Sequence, residues 1–207
     1  MGYDQAVASQ YEAEDEHALP EGEGTLWLAE LRRLANADLT GRVLDIGAGT
    51  GLLTRVLKAA GLLVTGLEPS SAMIKQGLAS HPDLAREDFV AGSADATDLF
   101  APGTFDWIVC RQVLCHLTEP LETFSTWRRW IAPDGRLMLV DGFWPEAAWS
   151  SEALQRQPFA ALSSAQPVAA MLGRAGFRVL RVGPFPELDR CRPGSAARYL
   201  VTAALGG

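Results

Sequence analysis

The sequence predicts an α/β protein: a seven-stranded, mostly parallel sheet with helices on both faces and the last strand antiparallel. Three observations carry this. Short apolar runs of strand length alternate with stretches of helical periodicity. Glycine and proline punctuate nearly every junction between them. Only the polar loop from Gly183 to Ala197 separates the last two runs, which is too short for a helical crossover and so implies an antiparallel return.

The strands are read at Arg42 to Ile46, Leu63 to Leu67, Asp88 to Ala91, Phe105 to Cys110, Arg136 to Asp141, Phe177 to Val182 and Arg198 to Ala204. The helices between them have plausible stops. Gly51 to Ala60 ends at Gly61, Ser70 to Ser80 ends before Pro82, and Pro120 to Ile131 ends at Pro133-Asp134-Gly135. A fourth, Ala165 to Ala175, is closed by Gly176 and places Val168, Met171 and Leu172 on one face. Ahead of the first strand, Asp4 to Leu19 and Leu26 to Leu34 are helix-compatible, joined by the flexible Pro20-Glu21-Gly22-Glu23-Gly24. The expected organisation is one domain over 1–207: a helical leader or lid over 1–36 and a core over 37–207. A second short lid, rich in Trp, Ser and Pro, is expected over 142–164.

With 207 residues, 48% of them hydrophobic and 21% charged, the chain can bury a substantial core, and wholesale disorder is excluded. A net charge of −7 repels nucleic acid, and with only Lys58 and Lys75 as lysines no basic run reverses that field. No stretch approaches the roughly 18 apolar residues of a membrane span. Met1 to Glu16 carries acids where a signal peptide carries bases, so the expected compartment is cytoplasmic. Cys110, Cys115 and Cys191 are an odd number without a CxxC pair, and His17, His81 and His116 are too far apart for a metal helix, so no metal is expected. The expected partner is a small molecule rather than nucleic acid or a membrane, and a homodimer is compatible with the sequence.

The chemistry begins where Val43-Leu44-Asp45-Ile46 runs straight into Gly47-Ala48-Gly49-Thr50-Gly51 and then a helix. Glycines there permit positive φ and close approach of a ligand, while free amides at the helix start favour electron-rich groups. A dinucleotide fingerprint would need a third glycine where Leu52 stands, and a pyrophosphate would be repelled by Asp45. No GK[ST] follows, so a P-loop is excluded too. The ligand is therefore cationic or neutral rather than phosphorylated. Glu68, closing the second strand, can accept from both hydroxyls of a ribose. Asp95, just after the third strand, can accept from an adenine amine, with Asp98 as its rival. Each acid also has a local reading: Asp45 bracing the turn, Glu68 favouring a helix N-terminus, and Asp95 forming a turn.

This ordered set resembles the class I S-adenosylmethionine-dependent methyltransferases, of the small-molecule type. The likeness extends through Phe105-Asp106-Trp107-Ile108-Val109-Cys110-Arg111-Gln112-Val113-Leu114-Cys115-His116-Leu117, similar to the family's fourth strand and following segment, and through Pro133-Asp134-Gly135-Arg136-Leu137, similar to its turn into strand five. It covers roughly residues 40 to 205 and implies a three-layer Rossmann-like fold with S-adenosyl-L-methionine as cofactor. Carried over, Asp45, Gly47, Ala48, Gly49 and Gly51 hold the methionine end, Glu68 and Pro69 the ribose, and Asp95 with Ala94 and Ala96 the adenine. An Asn-Pro-Pro-Tyr-like element, expected after strand four in many enzymes that methylate DNA, is absent.

In an open α/β sheet the ligand lies at the carboxyl ends of the strands, at the topological switch point. The acceptor then faces Arg111, Gln112 and His116 after strand four, and Asp141, Phe143 and Trp144 after strand five. His116 is either a general base or a structural member of its segment. Arg111 is a candidate catalytic and cofactor-contacting residue that can clamp a carboxylate. Tyr11, with Tyr3 and His17, is the leader's contribution. Phe143, Trp144 and Trp149 either wall an acceptor pocket or pack a lid onto the sheet, whereas Trp107, Trp127 and Trp130 read as core. Displacement of methyl from a sulfonium needs mainly alignment, worth about 7 to 11 kcal/mol, so a strong base is optional. The implied function is methyl transfer to oxygen, nitrogen or carbon of a small acceptor in biosynthesis. The alternatives are cyclisation or pericyclic chemistry with the same cofactor, or a non-catalytic cofactor-binding subunit.

Overall fold

A computed structural model describes residues 5–11, 18–20, 22–35 and 38–206; Tyr3 and His17 lie outside the described residues. In chain order the elements are α1 (Gln5–Gln10), α2 (Glu23–Ala35), β1 (Arg42–Ile46), α3 (Leu52–Ala59), β2 (Leu63–Glu68), α4 (Ser71–Ser80), β3 (Phe89–Ala91) and β4 (Phe105–Arg111). They continue with α5 (Pro120–Trp130), β5 (Ile131–Gly142), α6 (Ser151–Arg156), α7 (Gln166–Arg174), β6 (Phe177–Pro184), α8 (Pro186–Arg190) and β7 (Arg198–Leu205). The strands form one sheet in the order β3-β2-β1-β4-β5-β7-β6. β1 to β5 pair in parallel, and β7 runs antiparallel to both β5 and β6. The expected class and the antiparallel last strand are borne out.

Local chemistry explains the element ends. The Ser70 hydroxyl accepts from the Met73 N–H at 3.2 Å and caps α4, while Pro120 opens α5 where no intrahelical donor is needed. Strand residues alternate between two cores. On one face Leu44, Ile46, Ile108, Cys110, Leu137 and Leu139 pack with Phe124, Trp127 and Trp130 of α5 and Val168 and Leu172 of α7. On the other Val43, Trp107, Val109, Met138 and Val140 meet Trp27 and Leu31 of α2 and Leu53 and Leu57 of α3. The three tryptophans read as core are buried, and Trp107 Nε1 donates to the Thr40 carbonyl at 3.0 Å.

Three local readings need correction. α2 starts at Glu23, so the last two of the five residues of the supposed flexible joint are helix, because the Glu23 carboxylate is anchored by distant arginines. β5 begins at Ile131 and carries Pro133-Asp134-Gly135 within it, across a register shift opposite Phe105 and Trp107. The loop before β7 contains the short helix α8, opened by Pro186.

Candidate active site

The carboxyl ends of β2, β1 and β4 stand side by side, with Asp45 in register with Gly66 and Val109, and Glu68 with Ala91. The order reverses between β1 and β4, the switch point where an α/β sheet opens a crevice. From β1 the chain enters the glycine turn. The Gly47 and Ala48 N–H groups donate to the Leu67 carbonyl at 2.8 and 3.1 Å, pinning the turn to β2. Gly47, Gly49 and Gly51 have φ of 68°, 61° and 86°, a region that side chains rarely adopt. A Cβ on Gly47 would stand 2.2 Å from Val113 Cγ2, so the turn is pressed against the segment that follows β4.

Two buried acids flank this turn. Glu68 bridges it to α4: Oε2 accepts from the Gly49 N–H at 3.0 Å and Oε1 from the Ser70 N–H at 2.8 Å. Burial raises the Glu68 pKa, and those two amides oppose the rise. Asp45, 1% exposed, accepts from Thr54 Oγ1 at 2.7 Å. Burial pushes its pKa up to about 7, against the lowering effects of Thr54 and of the nearby Arg111 charge. Acids so placed favour a cation or hydroxyl-bearing ligand and disfavour phosphate. Asp95 and Pro69 are exposed at neighbouring strand tips, and the Ala94 carbonyl between them and α5 is held by Trp127 Nε1 at 2.9 Å.

The crevice over the turn is lined by Tyr11, Asp45, Gly47, Ala48, Gly49 and Arg111, among others, and encloses about 20 Å³, room for roughly one water. The leader narrows it: a Tyr11 ring carbon lies 3.7 Å from where a Gly49 Cβ would stand. Arg111 is held from the leader as well. Its Nε donates to Glu23 Oε1 at 2.9 Å and its Nη2 to the Ala18 carbonyl at 2.6 Å.

Just after β4 Gln112 has a φ of 59°, the one positive value at a non-glycine among the described residues, which stores about 1 to 3 kcal/mol of strain. Its N–H donates to the Val140 carbonyl at 2.9 Å. His116 is exposed at one edge and packs edge-on against Trp149, with ring centroids 5.4 Å apart. Desolvation lowers its pKa and the Asp141 charge opposes the shift, so it is neutral at pH 7. Asp141 points inward. Its Oδ2 accepts from the Cys115 N–H at 3.1 Å and its Oδ1 from the Gly142 N–H and Trp144 Nε1 at 2.7 and 2.8 Å. The carboxylate thus ties the His116 segment to the start of 142–164. Phe143 packs on Tyr199 at 5.0 Å, and the Arg198 guanidinium sits over the Trp144 ring at 4.6 Å. These two aromatics pack the segment onto the sheet.

The sequence reading passed over Thr54, Thr50, Glu23, Arg192 and Arg198. Thr54 left a signal, a polar residue beside Leu53 and Leu57 on the buried face of α3. Thr50 sits within the glycine turn itself. The others meet across separations that no local pattern reveals.

The profile of the methyltransferase domain family matches residues 19–182. The chain belongs to this family, and the resemblance to S-adenosylmethionine-dependent methyltransferases is borne out. It is 36% identical over 100 residues to the demethylmenaquinone methyltransferase of Renibacterium salmoninarum, covering 48% of this chain and 40% of that protein. It is 28% identical over 168 residues to the ubiquinone biosynthesis O-methyltransferase of Xanthomonas campestris pv. campestris, covering 79% and 62%. The chain thus spans about half the length of these curated relatives. Phosphoethanolamine N-methyltransferase 2 of Haemonchus contortus, solved with S-adenosyl-L-methionine, superposes with a TM-score of 0.73 at 17% identity, over 99% of this chain and 58% of that one, a likeness of fold. Among the described residues no helix is long and apolar enough to cross a membrane.

Proposed function

We propose that this chain binds S-adenosyl-L-methionine across the tips of β1 and β2 and transfers its methyl group to a small organic acceptor facing β4 and β5. One observation carries the reading: two buried acids, Asp45 and Glu68, stand on either side of a turn whose three glycines adopt positive φ, with Gly47 and Gly49 lining the crevice. Asp45, Gly47, Ala48, Gly49 and Gly51 hold the amino-acid end, Glu68 and Pro69 the ribose, and Ala94, Asp95 and Ala96 the adenine. The cofactor supplies an electrophilic methyl. The chain supplies alignment and exclusion of water, with Arg111 closing the crevice and Tyr11 covering it. Gln112 and His116 border the acceptor, Phe143 and Trp144 pack the segment behind them onto the sheet, and Asp141 acts through the groups it ties together. His116, neutral at pH 7, can take a proton from a hydroxyl acceptor.

The relatives named for quinone synthesis support a small acceptor in a biosynthetic pathway. The buried free thiols Cys110 and Cys115 support a reducing, cytoplasmic setting, and we read the chain as one catalytic unit with the leader and 142–164 as its two covers. Calorimetric titration with S-adenosyl-L-homocysteine tests the reading: saturable binding well below millimolar is expected, and its absence overturns it. Glu68→Ala is expected to weaken that binding about tenfold or more, since hydrogen bonds to a charged acceptor contribute about 1.5 to 3 kcal/mol. Mass spectrometry separates the alternatives, because only methyl transfer adds one methylene to an acceptor and releases the homocysteine product.

A further inference from the structure

One buried carboxylate joins three distant parts of the chain. Glu23, on the first turn of α2, offers Oε1 to Arg111 Nε at 2.9 Å and Oε2 to Arg192 Nε at 2.8 Å. The Ala18 carbonyl is shared in the same way, accepting from Nη2 of both arginines. The side chains are 1% exposed at Glu23, 2% at Arg192 and 11% at Arg111. Two guanidiniums that repel one another are therefore held side by side, out of water, by two shared acceptors from the leader. Arg198 adds to the repulsion, and with desolvation this lowers the Arg192 pKa, while Glu23 opposes the shift. Only Arg111 of the pair lines the crevice over the glycine turn, where its charge reaches Asp45.

We infer that Arg192, in the loop between α8 and β7, is a positioning residue for the cofactor crevice: through Glu23 and the Ala18 carbonyl it latches the Arg111 guanidinium in place beside the glycine turn. The inference rests on the reading of that crevice as the cofactor site. A nucleoside does not fit into about 20 Å³, so the Tyr11 and Arg111 side chains that line the crevice give way for entry and release, and the shared acceptors set how firmly Arg111 returns. Removing Arg192 leaves Glu23 with one arginine, lets Arg111 turn, and shortens the cofactor's stay.

The test is S-adenosyl-L-homocysteine binding, by calorimetry and stopped-flow, to the full chain and to Arg192→Gln, Arg111→Gln and the double variant. The expected result is about tenfold weaker binding in Arg192→Gln, through faster dissociation. Little further loss is expected when Arg192→Gln is added to Arg111→Gln, because the effect passes through Arg111. Wild-type binding with an unchanged Arg192→Gln constant overturns the inference, and so does an equal loss in both backgrounds. Failure of the wild type to bind sinks the cofactor reading instead. Should Arg192→Gln not fold, Arg192→Lys carries the test. A lysine keeps the charge but lacks the planar fork that spans Glu23 and Ala18, so intermediate weakening supports the latch and wild-type affinity refutes it.

Discussion

Thr50 lines the crevice, is 1% exposed, and its hydroxyl has no hydrogen-bond partner among the described residues. An orphaned buried hydroxyl costs about 1 to 3 kcal/mol, which a ligand acceptor would restore. Thr50→Val, equal in shape, is therefore expected to raise the melting temperature and to weaken S-adenosyl-L-homocysteine binding several-fold; if both move in one direction, the hydroxyl is a packing defect only. Asp45 gives a pH signature. Its pKa is about 7 in the folded chain against an ordinary 3.8, so between those values the folded state holds a proton that the unfolded chain has lost. Its contribution to stability is present at acid pH, falls as pH rises through that window, and levels off above about 7. Asp45→Asn lacks this titration, and its melting temperature relative to wild type is expected to climb from pH 5 to pH 8. A cationic ligand end favours the ionised form, so wild-type affinity is expected to rise toward neutrality by up to about tenfold per unit and then flatten. A flat wild-type profile refutes the contact.

At the scale of elements, the glycine turn shows that equal sequence symbols carry unequal structural demands. Gly47 and Gly49 both adopt positive φ, yet a Cβ on Gly47 would collide with Val113 at 2.2 Å, while one on Gly49 would meet Met73 at an ordinary 3.5 Å. Gly49→Ala is expected to lose about 1 to 2 kcal/mol for the left-handed backbone alone. Gly47→Ala is expected to lose a further 1 to 3 kcal/mol from overpacking. Urea midpoints measure the difference, and equal losses would mean that the turn does not press on the segment after β4. The turn was legible because its chemistry is local: a strand, three glycines and a helix in unbroken order. The true start of α2 was not, because Glu23 is held by arginines far along the chain. Nor was the full length of β5, since its first residues pair across a register shift that proline and glycine disguise as a turn.

The whole molecule divides along the same line between local and assembled. The proposed cofactor side comes from β1, β2 and the turns after them, close in sequence, so Asp45, Gly47, Gly49 and Glu68 stand out together along the chain. The proposed acceptor side gathers residues 111–117 and 141–149, with 192–199 beside them, because β7 inserts between β5 and β6 and sets Tyr199 opposite Asp141. Only that insertion brings Arg198 over Trp144 and Arg192 near Arg111, and the spacing along the chain gives no hint of either. The sheet as a whole then makes a prediction that separates nucleoside ligands by charge. A ligand bound by the folded state alone stabilises it by about 2.7 kcal/mol at a hundred times its dissociation constant. For a domain of this size each kcal/mol shifts the midpoint by roughly 2 to 4 °C, so saturating S-adenosyl-L-homocysteine is expected to raise it by about 5 to 11 °C. NAD at the same concentration is expected to leave it in place, because its pyrophosphate would lie between Asp45 and Glu68, with Leu52 where the dinucleotide turn needs glycine. A thermal shift with NAD that matched or exceeded the nucleoside's would mean that the two acids do not govern what this crevice admits.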